Sequence, residues 1–215
     1  MTSGMKRAGD MWVRSEDTFM PSYFERTGDE FEIDHLRAAL EHCAGRKLAL
    51  DVGAHYGSWT RHLARQFEQV LAFEPITETF ACLAENTGDF HNARVFQKAV
   101  GETSRLVSVG VGKMYQHPGM ETVNAASGDV EMISIDQLAL SALDFLKIDV
   151  EGYELHVLHG AERTLKQFRP LIIFEENIRG PLEHGIENGE CAAYLNELGA
   201  QEVCVLNKDH VFKWS

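Results

Sequence analysis

Two glycines follow a short apolar segment and are placed to shape a ligand site. The segment is Lys47-Leu-Ala-Leu-Asp-Val-Gly53, and the chain continues Ala54-His-Tyr-Gly57-Ser58. Gly53 and Gly57 allow a sharp turn and a close approach of the backbone to a ligand. A helix that begins at Ser58 would point its first N–H groups at the same place. Ligands of open parallel sheets bind at the carboxyl ends of strands, so this loop is predicted to bind one.

The spacing of these glycines limits the kind of ligand. Gly53 and Gly57 are separated by three residues, with His55 between them, whereas a dinucleotide site needs G-x-G-x-x-G. The phosphate-binding pattern G-x-x-x-x-G-K-[ST] does not match either. A ligand with ribose and adenine but no phosphate fits better. Its amino-acid part would lie against Gly53, and Asp51 would reach its ammonium group through water.

Glu74 is the second candidate binding residue. It stands in Phe73-Glu74-Pro75, at the end of the next predicted strand. An acid at this position of a doubly wound fold can accept hydrogen bonds from both ribose hydroxyls. Alone, Glu74 is equally well interpreted as a solvated carboxylate. Together with the glycine loop it strengthens the prediction of a nucleoside site.

Alternating strands and helices must position these residues. Such alternation predicts βα units and a mostly parallel sheet, because each crossover returns across a sheet face. The predicted strands are 47–53, 69–74, 93–100, 144–150 and 171–175, and the predicted helices are 58–66, 77–86, 154–168 and 191–198. Residues 105–111 alternate like an edge strand, 112–129 are predicted to be a loop, and 202–206 with 211–214 are predicted to form an antiparallel hairpin.

Residues 1–45 are predicted to be an N-terminal helical extension that caps the domain formed by residues 46–215. The stretch 12–23 shows no clear period, whereas apolar residues from Phe31 onward recur at helical spacing and predict a helix near 32–42, ended by Gly45. This extension and the 112–129 loop are expected to carry the acceptor-binding elements.

Composition excludes several functional classes. The 215 residues are 44% hydrophobic and 25% charged, as in a globular domain, and the net charge of −13 disfavours a nucleic-acid partner. No apolar run reaches the roughly 18 residues that span a bilayer, so membrane insertion is not expected. The four cysteines lack zinc-site spacing and are expected to be reduced. The chain is therefore predicted to be cytoplasmic.

Several motifs together resemble the FkbM family of S-adenosylmethionine-dependent methyltransferases. They occur in the family's order and cover roughly 47–177, and the Lys-Ile-Asp-Val-Glu-Gly block is the most specific of them. The matching stretches are Leu50-Asp-Val-Gly-Ala-His-Tyr-Gly57, Ala72-Phe-Glu-Pro75, Lys98-Ala-Val-Gly101, Ile133-Ser-Ile-Asp-Gln-Leu138, Phe145-Leu-Lys-Ile-Asp-Val-Glu-Gly-Tyr-Glu154, Leu158-His-Gly-Ala161 and Arg169-Pro-Leu-Ile-Ile-Phe-Glu175.

The resemblance implies a Rossmann-like class I methyltransferase fold, with a mostly parallel seven-stranded sheet and an antiparallel C-terminal hairpin. It also implies S-adenosyl-L-methionine as cofactor and O-methylation of a small-molecule or sugar hydroxyl. His55 departs from the family, which usually has Asn there. The implied cofactor-binding residues are Asp51, Gly53, Ala54, His55, Gly57, Ser58, Glu74, Pro75 and Ala99.

Methyl transfer to a hydroxyl group requires alignment of the acceptor oxygen and removal of its proton. The expected catalytic residues are Asp149, nearest the reacting centre, Glu151, as base or acceptor ligand, and His55. A structural alternative is that Asp149 and Glu151 only brace the loop by accepting N–H groups of Gly152 and Tyr153.

Three further alternatives stay open. A metal-assisted reaction would use oxygen ligands of the kind that Mg²⁺ or Ca²⁺ prefers. N-methylation of a small amine and a non-catalytic nucleotide-binding scaffold are compatible with the same fold. The candidate metal ligands are Asp149, Glu175, Glu176 and Asn177.

Overall fold

The central element is a seven-stranded sheet. The structure, a computed structural model, describes residues 4–111, 121–176 and 183–215. All neighbouring strands are parallel except β12, which is antiparallel to both of its neighbours. This arrangement confirms the predicted fold class. In spatial order the strands are β11 (Ala200–Leu206), β12 (Asp209–Trp214), β10 (Leu171–Glu175), β9 (Phe145–Ile148), β3 (Leu48–Val52), β4 (Gln69–Phe73) and β5 (Ala93–Phe96).

Helices cover both faces of this sheet, because successive strand residues point to opposite faces and both sets are apolar. Leu50, Leu146 and Ile172 pack with α5 (Glu154–His159), α6 (Glu162–Phe168) and α7 (Glu190–Leu198). Ala49, Phe145 and Ile173 face the other way, toward α2 (Ile33–Leu40) and α3 (Ser58–Ala64). The helix α4 (Thr77–Thr87) contacts Ala72 of β4 through Leu83.

A second sheet has three strands, in the order β6, β8, β7. They are β6 (Ala99–Val100), β7 (Arg105–Val111) and β8 (Glu121–Ile133). The prediction of a loop over 112–129 is wrong from Glu121 onward, since β8 pairs there with β7 through a register shift near Ser108 that interrupts its alternation. Residues 112–120 of that predicted loop lie outside the described residues.

Two other predicted elements are divided in the structure. The predicted strand 93–100 bends after Phe96, so its first part pairs with β4 and its second part with β8. The predicted helix 154–168 is broken at Gly160, where a Cβ would lie 2.0 Å from the carbonyl oxygen of Gly101. The second part, α6, begins anew because the Asp136 carboxylate accepts the N–H groups of Arg163 and Thr164.

The N-terminal segment contains more regular structure than its sequence predicts. A hairpin of β1 (Met5–Ala8) and β2 (Met11–Arg14) precedes α1 (Met20–Thr27). Gly9 forms its turn with φ +57°, and a Cβ there would lie 2.5 Å from the carbonyl oxygen of Phe24. The hairpin and α1 share an apolar cluster with Tyr56 and Cys82. The stretch 12–23 shows no period in its sequence because its short elements are stabilised by tertiary packing.

Among the described residues, no helix is both long and apolar enough to span a bilayer.

Candidate functional site

A cavity of about 460 Å³ runs along the carboxyl ends of the central strands. Its floor consists of the end of β10 and the segments that follow β4, β3 and β9, together with the turn between β11 and β12. The helices α1 and α2 cover one side, and the three-stranded sheet covers another through Val109 and Thr122. This is the location at which open α/β sheets bind ligands.

Most of the predicted site residues meet in this cavity. Asp51 and Gly57 do not line it: Asp51 is fully buried behind the wall, and Gly57 forms the left-handed residue before α3. Those that line it are Gly53, Ala54, His55, Ser58, Glu74, Pro75, Ala99, Asp149 and Glu151.

The glycine loop is held by the backbone of two neighbouring strands. The N–H groups of Gly53 and Ala54 both donate to the carbonyl oxygen of Phe73, at 3.0 Å each. Gly53 has φ +77°, and a Cβ there would lie 1.7 Å from the carbonyl oxygen of Asp149. Only glycine therefore fits between β3 and the loop after β9.

Lys147 begins the Lys-Ile-Asp-Val-Glu-Gly block, but no role in the site was predicted for it from the sequence. It is 8% exposed, and its Nζ donates to the carbonyl oxygen of Gly53 at 2.6 Å. The same nitrogen lies 3.4 Å from Asp51 Oδ1 and 3.5 Å from Asp149 Oδ2. Burial opposes the charged form, but the two carboxylates prevail and raise the pKa of Lys147. Lys147 thus joins the glycine loop to the strand that carries Asp149.

One sequence feature could have revealed Lys147: it is the only charged residue in the otherwise apolar strand β9. Parallel pairing places Asp51 directly beside Lys147 in the sheet. The other oxygen of Asp51, Oδ2, accepts a hydrogen bond from the Thr60 hydroxyl at 2.6 Å. Asp51 therefore acts on the loop through Lys147 and α3.

Glu74 organises the opposite end of the glycine loop. The residue is 6% exposed and lines the cavity. One carboxylate oxygen accepts the N–H group of His55 at 3.1 Å, and the other accepts the N–H group of Ile76 at 2.9 Å. A carboxylate offers about four acceptor positions, so the Glu74 side chain can accept more donors than these two N–H groups.

The loop after β3 is also tied to the N-terminal segment. His55 has φ +50°, and its ring lies against that of Tyr56, with the centroids 3.9 Å apart. The Tyr56 hydroxyl donates to the buried carboxylate of Asp17 at 2.8 Å. Burial raises the pKa of Tyr56, and Asp17 adds to the rise. The other Asp17 oxygen accepts N–H groups at the start of α1.

Asp29 makes a second connection between the N-terminal segment and α3. Its carboxylate accepts hydrogen bonds from Arg61 at 2.8 Å and Arg65 at 2.9 Å, and lies 3.1 Å from His62 Nε2. These partners, His62 foremost, lower the pKa of Asp29. The Ser58 hydroxyl donates to the carbonyl oxygen of Asp29 at 2.5 Å. Ser58 therefore binds the covering segment as well as lining the cavity.

Glu154 braces the loop after β9. Its Oε1 accepts the N–H groups of Val150 at 3.0 Å and Gly152 at 3.1 Å. Burial raises the pKa of Glu154 to about 7. One alternative from the sequence was that Asp149 and Glu151 accept the N–H groups of Gly152 and Tyr153. For Gly152 the acceptor is Glu154 instead. Glu151 has φ +58°, a left-handed conformation that is uncommon for non-glycine residues.

The end of the cavity beyond β9 is polar. Here lie Glu175 from β10, Lys208 and Asp209 from the hairpin, and Glu32 and His35 from the N-terminal segment. His35 Nδ1 lies 2.6 Å from Asp209 Oδ2. The sequence motifs did not reveal this pair, because nothing local relates residues so far apart in the chain.

The candidate metal ligands do not form a recognisable site in the part of the chain that the structure describes. No group of three or more His, Cys, Asp or Glu side chains there has a metal-binding arrangement. Glu175 lines the cavity, Glu176 does not, and Asn177 lies outside the described residues.

Comparison with known proteins assigns the family. Residues 51–201 match the Methyltransferase FkbM domain. The chain is 27% identical over 192 residues to the hexuronic acid methyltransferase AglP of Haloferax volcanii, covering 84% of this chain and 75% of AglP. It is 28% identical over 144 residues to Methyltransferase 1 of Beauveria bassiana, covering 53% of this chain and 57% of that protein.

Solved structures share the fold. A methyltransferase FkbM from Methylobacillus flagellatus KT superposes with a TM-score of 0.51 at 19% identity, covering 79% of this chain and 44% of its own. The Streptococcus mutans protein SMU.1697c, solved in complex with SAH, gives a TM-score of 0.54 at 12% identity and covers 84% of this chain and 94% of its own. The chain thus spans less than half of the first structure. The domain match covers most of the sequence, and the chain therefore belongs to the FkbM family of S-adenosylmethionine-dependent methyltransferases.

Proposed function

We propose that the chain transfers a methyl group from S-adenosylmethionine to a hydroxyl group of a small or carbohydrate-like acceptor. The observation that carries this proposal is the shape of the cavity. It extends without interruption from Glu74 and the glycine loop, across Asp149 and Glu151, to the polar end at Glu175 and Asp209. One end is suited to a nucleoside and the other to a hydrophilic acceptor, with the strand end of β9 between them.

The cavity wall fits the cofactor chemically. At Gly53 the backbone itself lines the floor of the cavity, because glycine has no side chain. The buried Glu74 carboxylate can accept hydrogen bonds from the hydroxyl groups of a ribose. The cofactor supplies an electrophilic methyl group on a positively charged sulfur, and carboxylates favour such a charge. We propose that Gly53, Ala54, His55, Ser58, Glu74, Pro75 and Ala99 contact the cofactor, and that Asp51 and Gly57 shape the loop from behind.

The acceptor would lie beyond the β9 strand end. Asp149 and Glu151 from this loop and His55 from the neighbouring loop line the same space. These residues can orient a hydroxyl group by hydrogen bonds. A carbohydrate-like acceptor is supported by AglP, which is named for action on a hexuronic acid, at 27% identity.

N-methylation of an amine is the second candidate. Several carboxylates line the acceptor end, among them Glu151, Glu175 and Asp209, and an ammonium group would be attracted to them. The acceptor panel must therefore include amines.

Binding is tested first. Calorimetry with S-adenosylhomocysteine should give saturable binding to the wild type, and at least tenfold weaker binding to Glu74→Gln. Glu78→Gln is the matched control, because Glu78 is exposed on α4 and does not line the cavity. Absence of binding to the wild type would refute the proposal.

The acceptor is tested with labelled cofactor and a panel of neutral methyl hexosides, hexuronic acids and amino sugars. Label in an alkali-stable ether supports O-methylation of a hydroxyl. Label only in an ester or an amine, or in no panel compound, contradicts it. Parallel reactions with EDTA test the metal-assisted alternative, which requires loss of activity.

A further inference from the structure

His35 and Asp209 form a histidine–carboxylate pair in the wall of the cavity. His35 Nδ1 lies 2.6 Å from Asp209 Oδ2, and the two side chains are 25% and 16% exposed. Both residues line the cavity. His35 comes from α2 of the N-terminal segment, and Asp209 is the first residue of β12.

Such a pair has a defined chemical capability. A carboxylate that accepts the Nδ1 proton fixes the tautomer of the imidazole, so that Nε2 carries the basic lone pair. The carboxylate also stabilises the imidazolium that forms when Nε2 takes a proton. Histidine is the most common general base, because it is readily available in its neutral form near neutral pH.

The position of the pair agrees with a role toward the acceptor. In the central sheet β12 lies next to β10, and β10 lies next to β9, whereas Glu74 follows β4 on the far side of β3. The pair and Glu74 therefore lie at opposite ends of the cavity, with the Asp149 strand end between them. Asp149 itself is held by Lys147 at 3.5 Å, whereas His35 approaches from the covering helix.

We propose, on the basis of the proposed function, that His35 is the general base for the acceptor hydroxyl and that Asp209 positions it. The hydroxyl proton passes to His35 Nε2 as the oxygen forms its bond to the methyl carbon. The electron pair of the broken carbon–sulfur bond stays on sulfur, so the positive charge moves from sulfur to the imidazolium.

Other charged groups line the same cavity as the pair. Glu32 lies on the same segment as His35, Lys208 on the hairpin, Glu175 on β10, and Asp149 and Lys147 on β9 and the loop that follows it. Burial raises the pKa of Asp209, the hydrogen bond from His35 lowers it, and Asp149 raises it further.

The matched control is a second pair on the same hairpin. His210 Nδ1 lies 2.6 Å from Glu202 Oε1, the two side chains are 20% and 40% exposed, and neither residue lines the cavity. The test variants are His35→Gln and Asp209→Asn, and the controls are His210→Gln and Glu202→Gln. All four are first compared with the wild type by circular dichroism and by calorimetry with S-adenosylhomocysteine.

Three readouts follow. Imidazole ¹⁵N spectra, recorded without acceptor, should show His35 as the Nδ1–H tautomer, and this preference should vanish in Asp209→Asn. With the panel compound that is methylated fastest, His35→Gln should lower kcat by about 100-fold or more, with the KM for the cofactor nearly unchanged. The kcat of the wild type should fall at acidic pH, where a general base is protonated, and the kcat of His35→Gln should not. Both control variants should keep kcat within about threefold of the wild type.

Three results would overturn the proposal: an Nε2–H tautomer in the wild type, a kcat of His35→Gln close to that of the controls, or a loss of kcat explained by weaker S-adenosylhomocysteine binding. An Nε2–H tautomer would overturn the proposal whether or not a panel compound is methylated. Absence of S-adenosylhomocysteine binding in the wild type would instead count against the proposed function.

Discussion

The ammonium group of Lys147 donates a hydrogen bond of 2.6 Å to the carbonyl oxygen of Gly53. This bond connects the central strand β9 to the loop after β3, on which the proposed cofactor contacts depend. The Asp51 and Asp149 carboxylates lie within 3.5 Å of the same nitrogen, so that one buried cation pairs with two acids.

Replacing this cation should destabilise the protein strongly. Lys147→Met leaves Asp51 buried without its counter-charge, and we expect the free energy of unfolding to fall by about 3–5 kcal/mol. Urea unfolding at pH 7 measures the change. Lys166→Met is the control, since Lys166 pairs with Glu162 on the exposed side of α6 and should lose at most about 0.5 kcal/mol.

The double variant Lys147→Met/Asp51→Asn should recover part of this loss, because the unpaired carboxylate is removed. A loss in Lys147→Met no larger than in Lys166→Met would contradict a central role for the ion pair.

The glycine loop should tolerate no side chain at its first position. In Gly53→Ala the added Cβ meets the Asp149 carbonyl oxygen at 1.7 Å, so the loop must move away from β9. Calorimetry should show at least tenfold weaker binding of S-adenosylhomocysteine. Gly199→Ala serves as control, because Gly199 has φ +98° but an added Cβ there would meet no atom within 4 Å. It should cost about 1 kcal/mol of stability and leave binding unchanged; equal binding losses would refute the steric explanation.

The hydroxyl of Tyr56 should be important for docking of the N-terminal segment. Tyr56→Phe leaves the fully buried Asp17 carboxylate without this donor, and we expect a loss of about 1–3 kcal/mol in urea unfolding. Tyr194→Phe removes a comparable bond to Glu162 at the half-exposed surface and should cost less. Hydrogen exchange in residues 4–27 should rise only in Tyr56→Phe, and an equal rise in both variants would count against the connection.

Glu154 should make stability depend on pH. Burial raises its pKa to about 7 in the folded state, from an ordinary value of 4.5, so the folded protein binds more protons between these values. The free energy of unfolding should therefore decrease as pH rises from 4.5 to about 7 and then level off. Glu154→Gln keeps an oxygen acceptor for Val150 and Gly152 but removes the charge.

We compare the free energy of unfolding of Glu154→Gln with that of the wild type at two pH values. The difference should favour the variant by on the order of 1–3 kcal/mol more at about pH 8 than at about pH 5. Thermal unfolding at the two pH values measures this change. A difference that is the same at both pH values would contradict the assignment. Glu162→Gln, at an exposed position, is the control.

Local patterns were sufficient to predict the strand-end residues. Gly53 and Glu74 follow predicted strands directly, and parallel pairing of β3 with β4 brings them to one edge of the sheet. The mostly parallel sheet and the final hairpin were likewise predicted, from the alternating elements and the family motifs. Asp51 was expected to reach the ligand, but strand alternation turns it toward the buried face that carries Lys147.

The remaining features depend on long-range packing. The short strands β1 and β2 have little intrinsic preference, and they are stabilised by packing on α1 and by Asn86, whose side chain exchanges hydrogen bonds with the Trp12 backbone. The apolar period of residues 154–168 continues through Gly160, so only the tertiary contact with Gly101 shows that the helix breaks there. No sequence window contains both His35 and Asp209.

The separation of His35 and Asp209, 174 positions along the chain, has a consequence for biosynthesis. On the ribosome, the stretch that contains Gly53 and Glu74 emerges long before the hairpin is translated. Until β12 is translated, the opposite end of the crevice lacks Asp209, and the central sheet lacks the buried residues Val211 and Phe212. Under the proposed chemistry, the general base is therefore positioned only after the last strand of the sheet has been translated.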